Sequence, residues 1–218
     1  MTSRHPVLIL FILFLISGQV FGQKDCDIKK DDEEIVVSLC DSEISDFKTI
    51  QVELDIPATL SQYAAQLLDI ENYLAWQYKS LGTKTVKQVS NTELYYYTKV
   101  ETPWPVNNRD LILHLKLWQD STTQQLYQQL ISVPDFLPEE EGYVRIPFSE
   151  SLLTVTPIDK GNVHVQFIMD IDPGGYVPPW IANMFAAMAP WNTFKSFRNN
   201  IIEQGENRVT VPFIMDYE

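Results

Sequence analysis

Residues 176–202 are the part of the sequence that most restricts how this chain can fold. Their large apolar residues recur mostly at steps of three or four, the spacing of one face of an α-helix. These residues are Trp180, Ile181, Met184, Phe185, Met188, Trp191, Phe194, Phe197, Ile201 and Ile202. We predict one long helix, kinked at Pro190 because proline removes a backbone hydrogen bond to the preceding turn. A helix with so broad an apolar face must cover another apolar surface.

That other surface is predicted to be a β-sheet, because apolar and polar side chains alternate through much of residues 83–171. The clearest apolar rows are Leu111, Leu113, Leu115 and Leu117, and Val163, Val165, Phe167, Met169 and Ile171. Short turn signals separate the strands and favour an antiparallel meander. A further strand is predicted at 47–56, and helices at 57–68 and 70–76. The predicted fold is α+β, with a curved antiparallel sheet wrapped around a long C-terminal α-helix.

The first 22 residues have the pattern of a signal peptide. Basic residues precede the uninterrupted apolar run Val7–Ile16, which is too short to cross a bilayer as a stable helix. Small residues follow this run, and cleavage is expected near Gly22. We therefore expect residues 1–22 to be removed and residues 23–218 to form a single exported domain, in the periplasm or outside the cell.

Both cysteines of the chain, Cys26 and Cys40, lie in the part expected to be exported. Export usually leads to an oxidising compartment, where cysteines pair. The turn-like run 31–34 lies midway between them, and Ile35–Cys40 has the pattern of a strand. If Cys26–Lys30 runs antiparallel to that strand, the two sulfur atoms meet across a hairpin. Two unrelated free thiols are the alternative, and a metal site is the poorer one because no histidine is near either cysteine in sequence.

The composition excludes several functions. A formal net charge of −13 argues against a nucleic-acid partner and against an anionic membrane surface bound by charge alone. Motifs for a nucleophilic serine, a dinucleotide, a phosphate-binding loop or a helical zinc site are missing, so neither catalysis, a cofactor nor a metal is predicted. His114 and His164 have the parity opposite the apolar rows, which places them at the surface.

Several short segments resemble the START-type lipid-binding domains, which belong to the wider helix-grip superfamily. The segments are Asp69–Tyr73 with Trp76, Pro103–Val106 with Asn108–Asp110, Gly142–Pro147, and Asp172–Gly175 with Pro178 or Pro179 and Trp180. Each segment is weak evidence alone. Their order and spacing agree over roughly residues 26–204, and the resemblance is closest to bacterial members.

The resemblance implies an internal hydrophobic cavity between the sheet and the last helix, holding a sterol, a phospholipid or another hydrophobic molecule. It implies access through the loop Thr102–Asn107 and the start of the last helix, Tyr176–Trp180. We expect the ligand to contact Trp104, Arg109, Leu111, Leu113, Phe167, Met169, Trp180, Ile181, Met184, Phe185 and Met188. If this lid moves, residues 178–189 are the half expected to move.

Two of these residues have alternative interpretations. Arg109 shares the inward parity of Leu111 and needs a partner, which is either a polar group of the ligand or a structural carboxylate. Asp110 points the other way and is interpreted as structural. Trp104 either enters a membrane interface during lipid exchange or packs beneath its own loop, and the packed arrangement is the commoner one.

The sequence therefore predicts a monomeric, exported carrier of a lipid or other hydrophobic small molecule, with transient membrane contact. Two alternatives remain. One is a cyclase- or hydrolase-like enzyme of the same superfamily, which needs titratable residues converging on the cavity. The other is a non-enzymatic interaction module whose cavity is filled by its own side chains.

Overall fold

The computed structural model describes residues 26–104, 106–205 and 210–217. The predicted signal peptide, 1–22, lies outside these residues. The strands are β1 Cys26–Asp32, β2 Ile35–Cys40, β3 Thr49–Ile56, β4 Ser80–Gln88, β5 Glu93–Val100, β6 Arg109–Gln119, β7 Leu126–Ser132, β8 Val144–Arg145, β9 Phe148–Asp159 and β10 Asn162–Asp172. The α-helices are α1 Leu60–Leu68, α2 Pro179–Phe185 and α3 Met188–Gln204, and short 3₁₀ helices span Ile70–Ala75 and Pro134–Phe136.

All of these strands belong to one unclosed sheet, in the order β1-β2-β3-β10-β9-β7-β6-β5-β4. Neighbours along this path are antiparallel, while the short β8 pairs with β6 in parallel. The long C-terminal helix α3 lies against the inner face. The predicted α+β class, with its curved antiparallel sheet and C-terminal helix, is confirmed.

Helix α3 attaches to the sheet through its aromatic residues. Trp191, Phe194 and Phe197 are buried, and the ring of Phe194 lies 5.2 Å from that of Phe167 on β10. The ring of Phe197 meets Tyr63 of α1 at 4.7 Å. Helix α3 is thus held between the sheet and α1, and this half of the predicted apolar stripe belongs to the core.

The stretch predicted as one kinked helix is divided between α2 and α3. Ala186 and Ala187, between the two helices, keep right-handed helical backbone angles. Pro190 lies in the first turn of α3 and has no N–H to donate to the carbonyl of Ala186, so the α-helical hydrogen bonding is interrupted there. The predicted single helix with its kink at Pro190 is therefore wrong, because the helix is divided one turn before the proline.

The N-terminal hairpin has the predicted disulfide. Cys26 lies opposite Cys40 in the β1–β2 register, and their sulfur atoms are bonded. The turn is tighter than predicted, because β1 ends at Asp32 and β2 begins at Ile35. Only Glu33 and Glu34 connect the two strands, and both have positive φ angles. A disulfide across this hairpin is typical of a protein that folds in an oxidising compartment.

Replacing both Cys26 and Cys40 with serine is expected to lower the free energy of unfolding by about 2–3 kcal/mol, because the bond closes a short loop in the unfolded chain. Urea unfolding followed by fluorescence measures this change. A reductant should destabilise the unmodified protein by a similar amount and leave the double variant unchanged. An unfolding midpoint that is the same for both proteins without reductant would contradict the prediction.

Within the described residues, no helix has both the length and the apolar character needed to cross a membrane.

Candidate functional site

An open pocket of about 580 Å³ lies where the β1–β2 hairpin approaches the junction of α2 and α3. It is lined by Lys29, Lys30, Leu39, Lys48, Asn183, Met184, Ala187 and Met188. The wall formed by the helices and Leu39 is largely apolar, while the opposite side carries Lys29 and Lys30 of β1 and Lys48 of the loop between β2 and β3. A smaller depression of about 110 Å³ lies among side chains of β3, β9 and β10, away from α2.

The pocket reaches the inner face of the sheet through Leu39. In the sheet register Leu39 lies opposite Ile50, which in turn lies opposite Met169. Along β10, the inward-facing residues Phe167, Met169 and Ile171 are only half-buried and pack at the margin of the hydrophobic core. The inner face therefore continues from the pocket as an apolar surface that the protein's own side chains cover incompletely.

The predicted ligand contacts on β6 lie deeper. Leu111 and Leu113 are 7% and 5% exposed and belong to the hydrophobic core. A ligand that enters beside Leu39 must cross the half-buried residues of β10 before it reaches them. Their contact with ligand stays a prediction.

Helix α2 presents most of its apolar residues to solvent. Trp180, Met184 and Phe185 are 66%, 64% and 48% exposed, and Ile181 is half-buried. Met188, the first residue of α3, is also exposed. Met184 and Met188 both line the pocket, but the structure does not place Trp180 or Phe185 there. The apolar stripe is thus buried along α3 from Trp191 to Ile201, and it is uncovered along α2, at Met188 and at Ile202.

Asn183 holds α2 against the loop between β2 and β3. Its side-chain oxygen accepts a hydrogen bond from the Lys48 backbone N–H at 2.9 Å, and its amide donates to the Asp46 carbonyl at 3.3 Å. This attachment closes one side of the pocket, because Asn183 and Lys48 both belong to its lining.

Trp104 is 93% exposed at the tip of the loop between β5 and β6. The favoured expectation, that it packs beneath its own loop, is therefore wrong. Its loop is braced at the base, where the Thr102 hydroxyl donates to the carbonyls of Val106 and Asn107 at 3.0 and 2.7 Å. These bonds fix the base of the loop and leave the indole at its tip in solvent.

Arg109 is buried and bonded to backbone carbonyls. Its guanidinium donates to Pro173 at 3.1 Å and Gly174 at 3.2 Å, and also to Asn107. Burial lowers the pKa of this guanidinium from its ordinary value. No carboxylate within the described ranges forms an ion pair with it, so the alternative of a structural carboxylate finds no partner there, and contact of Arg109 with a ligand stays a prediction. Arg109 instead joins the β5–β6 loop to the turn that precedes α2.

The same turn is packed against β8. Gly174 and Gly175 both have left-handed φ angles, which favour glycine. A Cβ atom on Gly174 would lie 3.0 Å from Pro147 Cδ and 3.1 Å from the Arg145 carbonyl oxygen. Three of the segments that carry the family resemblance, Asn108–Asp110, Gly142–Pro147 and Asp172–Gly175, therefore meet at one place.

On the outer side of β6, Asp110 forms a buried bidentate ion pair with Arg145. The two nitrogen–oxygen distances are both 2.9 Å, and the side chains are 1% and 4% exposed. Arg145 also donates to the carbonyls of Pro134, Leu137 and Pro138. Hydrogen bonding to Asp110 raises the pKa of the Arg145 guanidinium. The structural interpretation of Asp110 agrees with this geometry.

Both histidines of the described chain lie on the outer face. His114 pairs with Glu93, and His164 pairs with Asp55, each at 2.7 Å. Neither pair lines the pocket. The described residues contain no group of three or more histidine, cysteine or carboxylate side chains that could hold a metal ion.

Sequence reasoning missed the lysines that line one side of the pocket. It also missed Asn183, whose side-chain amide attaches α2 to the loop between β2 and β3. Alternation along β1 would place Lys30 on the same face as Ile28, which faces outward opposite Ser38. A β-bulge at Lys29 reverses this parity and places Lys30 opposite Val37 on the inner face. The signal that could have indicated this basic side was the presence of two adjacent lysines, Lys29 and Lys30, in a chain with a net charge of −13.

Comparison with known proteins agrees with this geometry. Residues 27–205 match the sequence profile of the START domain. An uncharacterised protein of Pseudomonas aeruginosa is 28% identical over 86% of this chain and 91% of its own length. The phosphatidylcholine transfer protein of Mus musculus is 27% identical over 73% of this chain and 79% of its own length. The crystal structure of a STAR-related lipid transfer protein fragment from Xanthomonas axonopodis has a TM-score of 0.75 and 29% identity, covering 81% of this chain and 98% of that fragment.

Proposed function

Because the chain belongs to the START domain family, we propose that it binds a single lipid or similar hydrophobic molecule between the inner face of the sheet and the α2–α3 pair. The pocket of about 580 Å³ beside α2 carries this proposal. Its apolar wall continues into the half-buried row Phe167, Met169 and Ile171, so an acyl chain there would bury apolar surface that is now partly exposed.

The lid of this site is helix α2. Gly174 and Gly175 precede it with permissive backbone, and the interrupted hydrogen bonding at Ala186–Ala187 follows it. Movement at these two points would swing α2 away from the pocket while α3 stays in the core. The expected moving segment, 178–189, contains α2 but extends two residues into α3, so the proposed moving part ends earlier than expected.

Lipid exchange is proposed to occur at a membrane surface. Trp104, Tyr176 and Trp180 are strongly exposed, and Arg109 joins the loop of Trp104 to the turn before α2. Indole and phenol rings favour the membrane interface, so this face suits transient apolar contact with a bilayer. Relatives that are named phosphatidylcholine transfer proteins agree with such a role.

The open pocket favours a carrier over an interaction module with a filled cavity. The alternative of a cyclase- or hydrolase-like enzyme needs a histidine and a carboxylate facing the ligand. His114 and His164 instead pair with carboxylates on the outer face. We therefore propose binding without catalysis, by a monomer that is exported to the periplasm or the cell exterior after loss of residues 1–22.

Mass spectrometry of lipids extracted from the purified, folded protein tests the proposal. We expect a reproducible lipid at close to one molecule per chain. A folded preparation that retains no lipid, and takes none from added vesicles, would contradict it.

Replacing Met184, the α2 residue that lines the pocket, with glutamate tests the position of α2. We expect co-purified lipid to fall by about tenfold or more, because a carboxylate beside the lipid chain would lose its hydration. Phe148→Glu is the control, since Phe148 is also an exposed apolar residue, at 36% against 64%, but lies on the outer parity of β9. Equal lipid content in the two folded variants would remove α2 from the wall of the site.

A further inference from the structure

We propose that the three lysines of the pocket bind the anionic headgroup of the lipid, so that this protein selects lipids with a negatively charged phosphate or carboxylate head. This inference rests on the proposed function, because it takes the pocket beside α2 as the site of the lipid. The observations that carry it are the placement of Lys29, Lys30 and Lys48 and the apolar wall that faces them.

The bulge in β1 gives the first argument. In a regular strand without the bulge, Lys30 would share the outward face of Ile28. The bulge places Lys30 on the inner face opposite Val37, and Lys29 also lines the pocket. Bulges redirect side chains in this way and are frequent beside functional sites. Two consecutive lysines therefore serve one pocket, which a regular strand does not allow.

The position of Lys30 gives the second argument. Its ammonium nitrogen lies 3.3 Å from the centroid of the Trp191 ring, and the indole N–H of Trp191 donates to the Asp32 carbonyl. Cation–π contact orients the ammonium group without neutralising its charge. Within the described part of the chain, no carboxylate forms an ion pair with Lys30. A half-buried positive charge is thus held in place at the pocket.

The other two lysines have partners that water and a ligand can replace. Lys29 pairs with Asp27 at 3.0 Å, and Lys48 pairs with Asp41. Both carboxylates are largely exposed, at 72% and 66%, and exposed ion pairs contribute little stability. A phosphate on a lipid whose chain is already anchored would compete well with them.

Three lysines in one pocket are unusual for a chain that is acidic overall. The chain has 29 acidic and 16 basic residues, yet every charged residue that lines this pocket is a lysine. Opposite them are Leu39, Met184, Ala187 and Met188, which suit an acyl chain. Such a pocket matches an amphiphile with an anionic head, and it matches a zwitterionic choline head less well.

The test compares lauroyl-lysophosphatidylglycerol with lauroyl-lysophosphatidylcholine, both below their micelle concentrations, by titration calorimetry on the delipidated protein. The two probes differ only in the headgroup, and no membrane is present. We expect tighter binding of the glycerol lipid. The triple variant Lys29→Gln, Lys30→Gln, Lys48→Gln should bind it about tenfold more weakly, because charge-assisted hydrogen bonds are lost. Binding of the choline lipid should change by less than about twofold.

The matched control is Lys84→Gln, Lys87→Gln, Lys160→Gln, which removes the same charge from exposed positions outside the pocket. It should bind both lipids as the unmodified protein does. An unchanged affinity for the glycerol lipid in the pocket variant, or an equal loss for both lipids, would overturn the inference. Displacement of the glycerol lipid by equimolar glycerol 3-phosphate would assign the pocket to a soluble anion instead. If the unmodified protein binds neither lipid, the proposed function itself is contradicted.

Discussion

Replacing Arg145 with methionine is expected to lower the free energy of unfolding by about 3–5 kcal/mol, because the change leaves Asp110 as an uncompensated buried charge. Asp110 is 1% exposed, and the Tyr97 hydroxyl at 2.8 Å would be its remaining side-chain partner among the bonds described. Arg145 also bonds three carbonyls of the segment that leads to β8. Its loss should therefore release that segment from the outer face of β6.

Urea unfolding with a fluorescence readout measures this effect. The control is Lys79→Met, which removes the cation of an exposed pair with Glu101 and should leave the free energy of unfolding almost unchanged. Similar losses in the two variants would mean that the buried pair contributes no more than a surface pair. Since Gly174 packs on the Arg145 backbone, lipid exchange should also become faster in the Arg145 variant.

Replacing both Trp104 and Trp180 with alanine is expected to weaken binding to phosphatidylcholine vesicles by about a hundredfold. Each indole buries roughly half of its surface at the interface, which contributes about 1–2 kcal/mol or about tenfold. The two residues are 93% and 66% exposed, so truncation removes little packing within the protein. Because phosphatidylcholine vesicles carry no net charge, the net charge of the protein contributes little to the measured affinity.

Co-sedimentation with vesicles measures the affinity, and the control is Trp118→Ala. Trp118 is 44% exposed on β6 and stacks on Tyr127, away from α2 and the β5–β6 loop. This variant should bind vesicles as the unmodified protein does. If the double variant keeps its affinity and its fold, the membrane contact must lie elsewhere on the molecule.

The sequence predicted those parts of the fold that depend on periodicity. Alternation located the inward rows of β6 and β10, and helical spacing located α3 with its buried Trp191 and Phe194. The position of Cys26 and Cys40 around a turn-like run predicted their disulfide. These features could be predicted because each depends on residues that lie close together in the chain.

The site was harder to predict because its geometry depends on backbone detail. Arg109 binds carbonyls, which every residue carries and no sequence pattern marks. Parity placed Asp110 on the outer face, but it could not show that the segment containing Arg145 covers that face. The bulge at Lys29 reversed the parity of Lys30, and the exposure of Trp104 depends on a loop without periodicity.

The bulge at Lys29 has a consequence for association as well. An unclosed sheet leaves unpaired backbone groups along its first and last strands, and such edges attract strands from other molecules. Strand β1 carries five charged residues among its seven, and the extra residue disturbs the regular spacing of its outer hydrogen-bonding groups. A second copy would have to remove these charged side chains from water against an irregular edge. The bulge that turns Lys30 inward therefore also disfavours aggregation through the edge strand β1. The sheet can then remain unclosed beside its pocket.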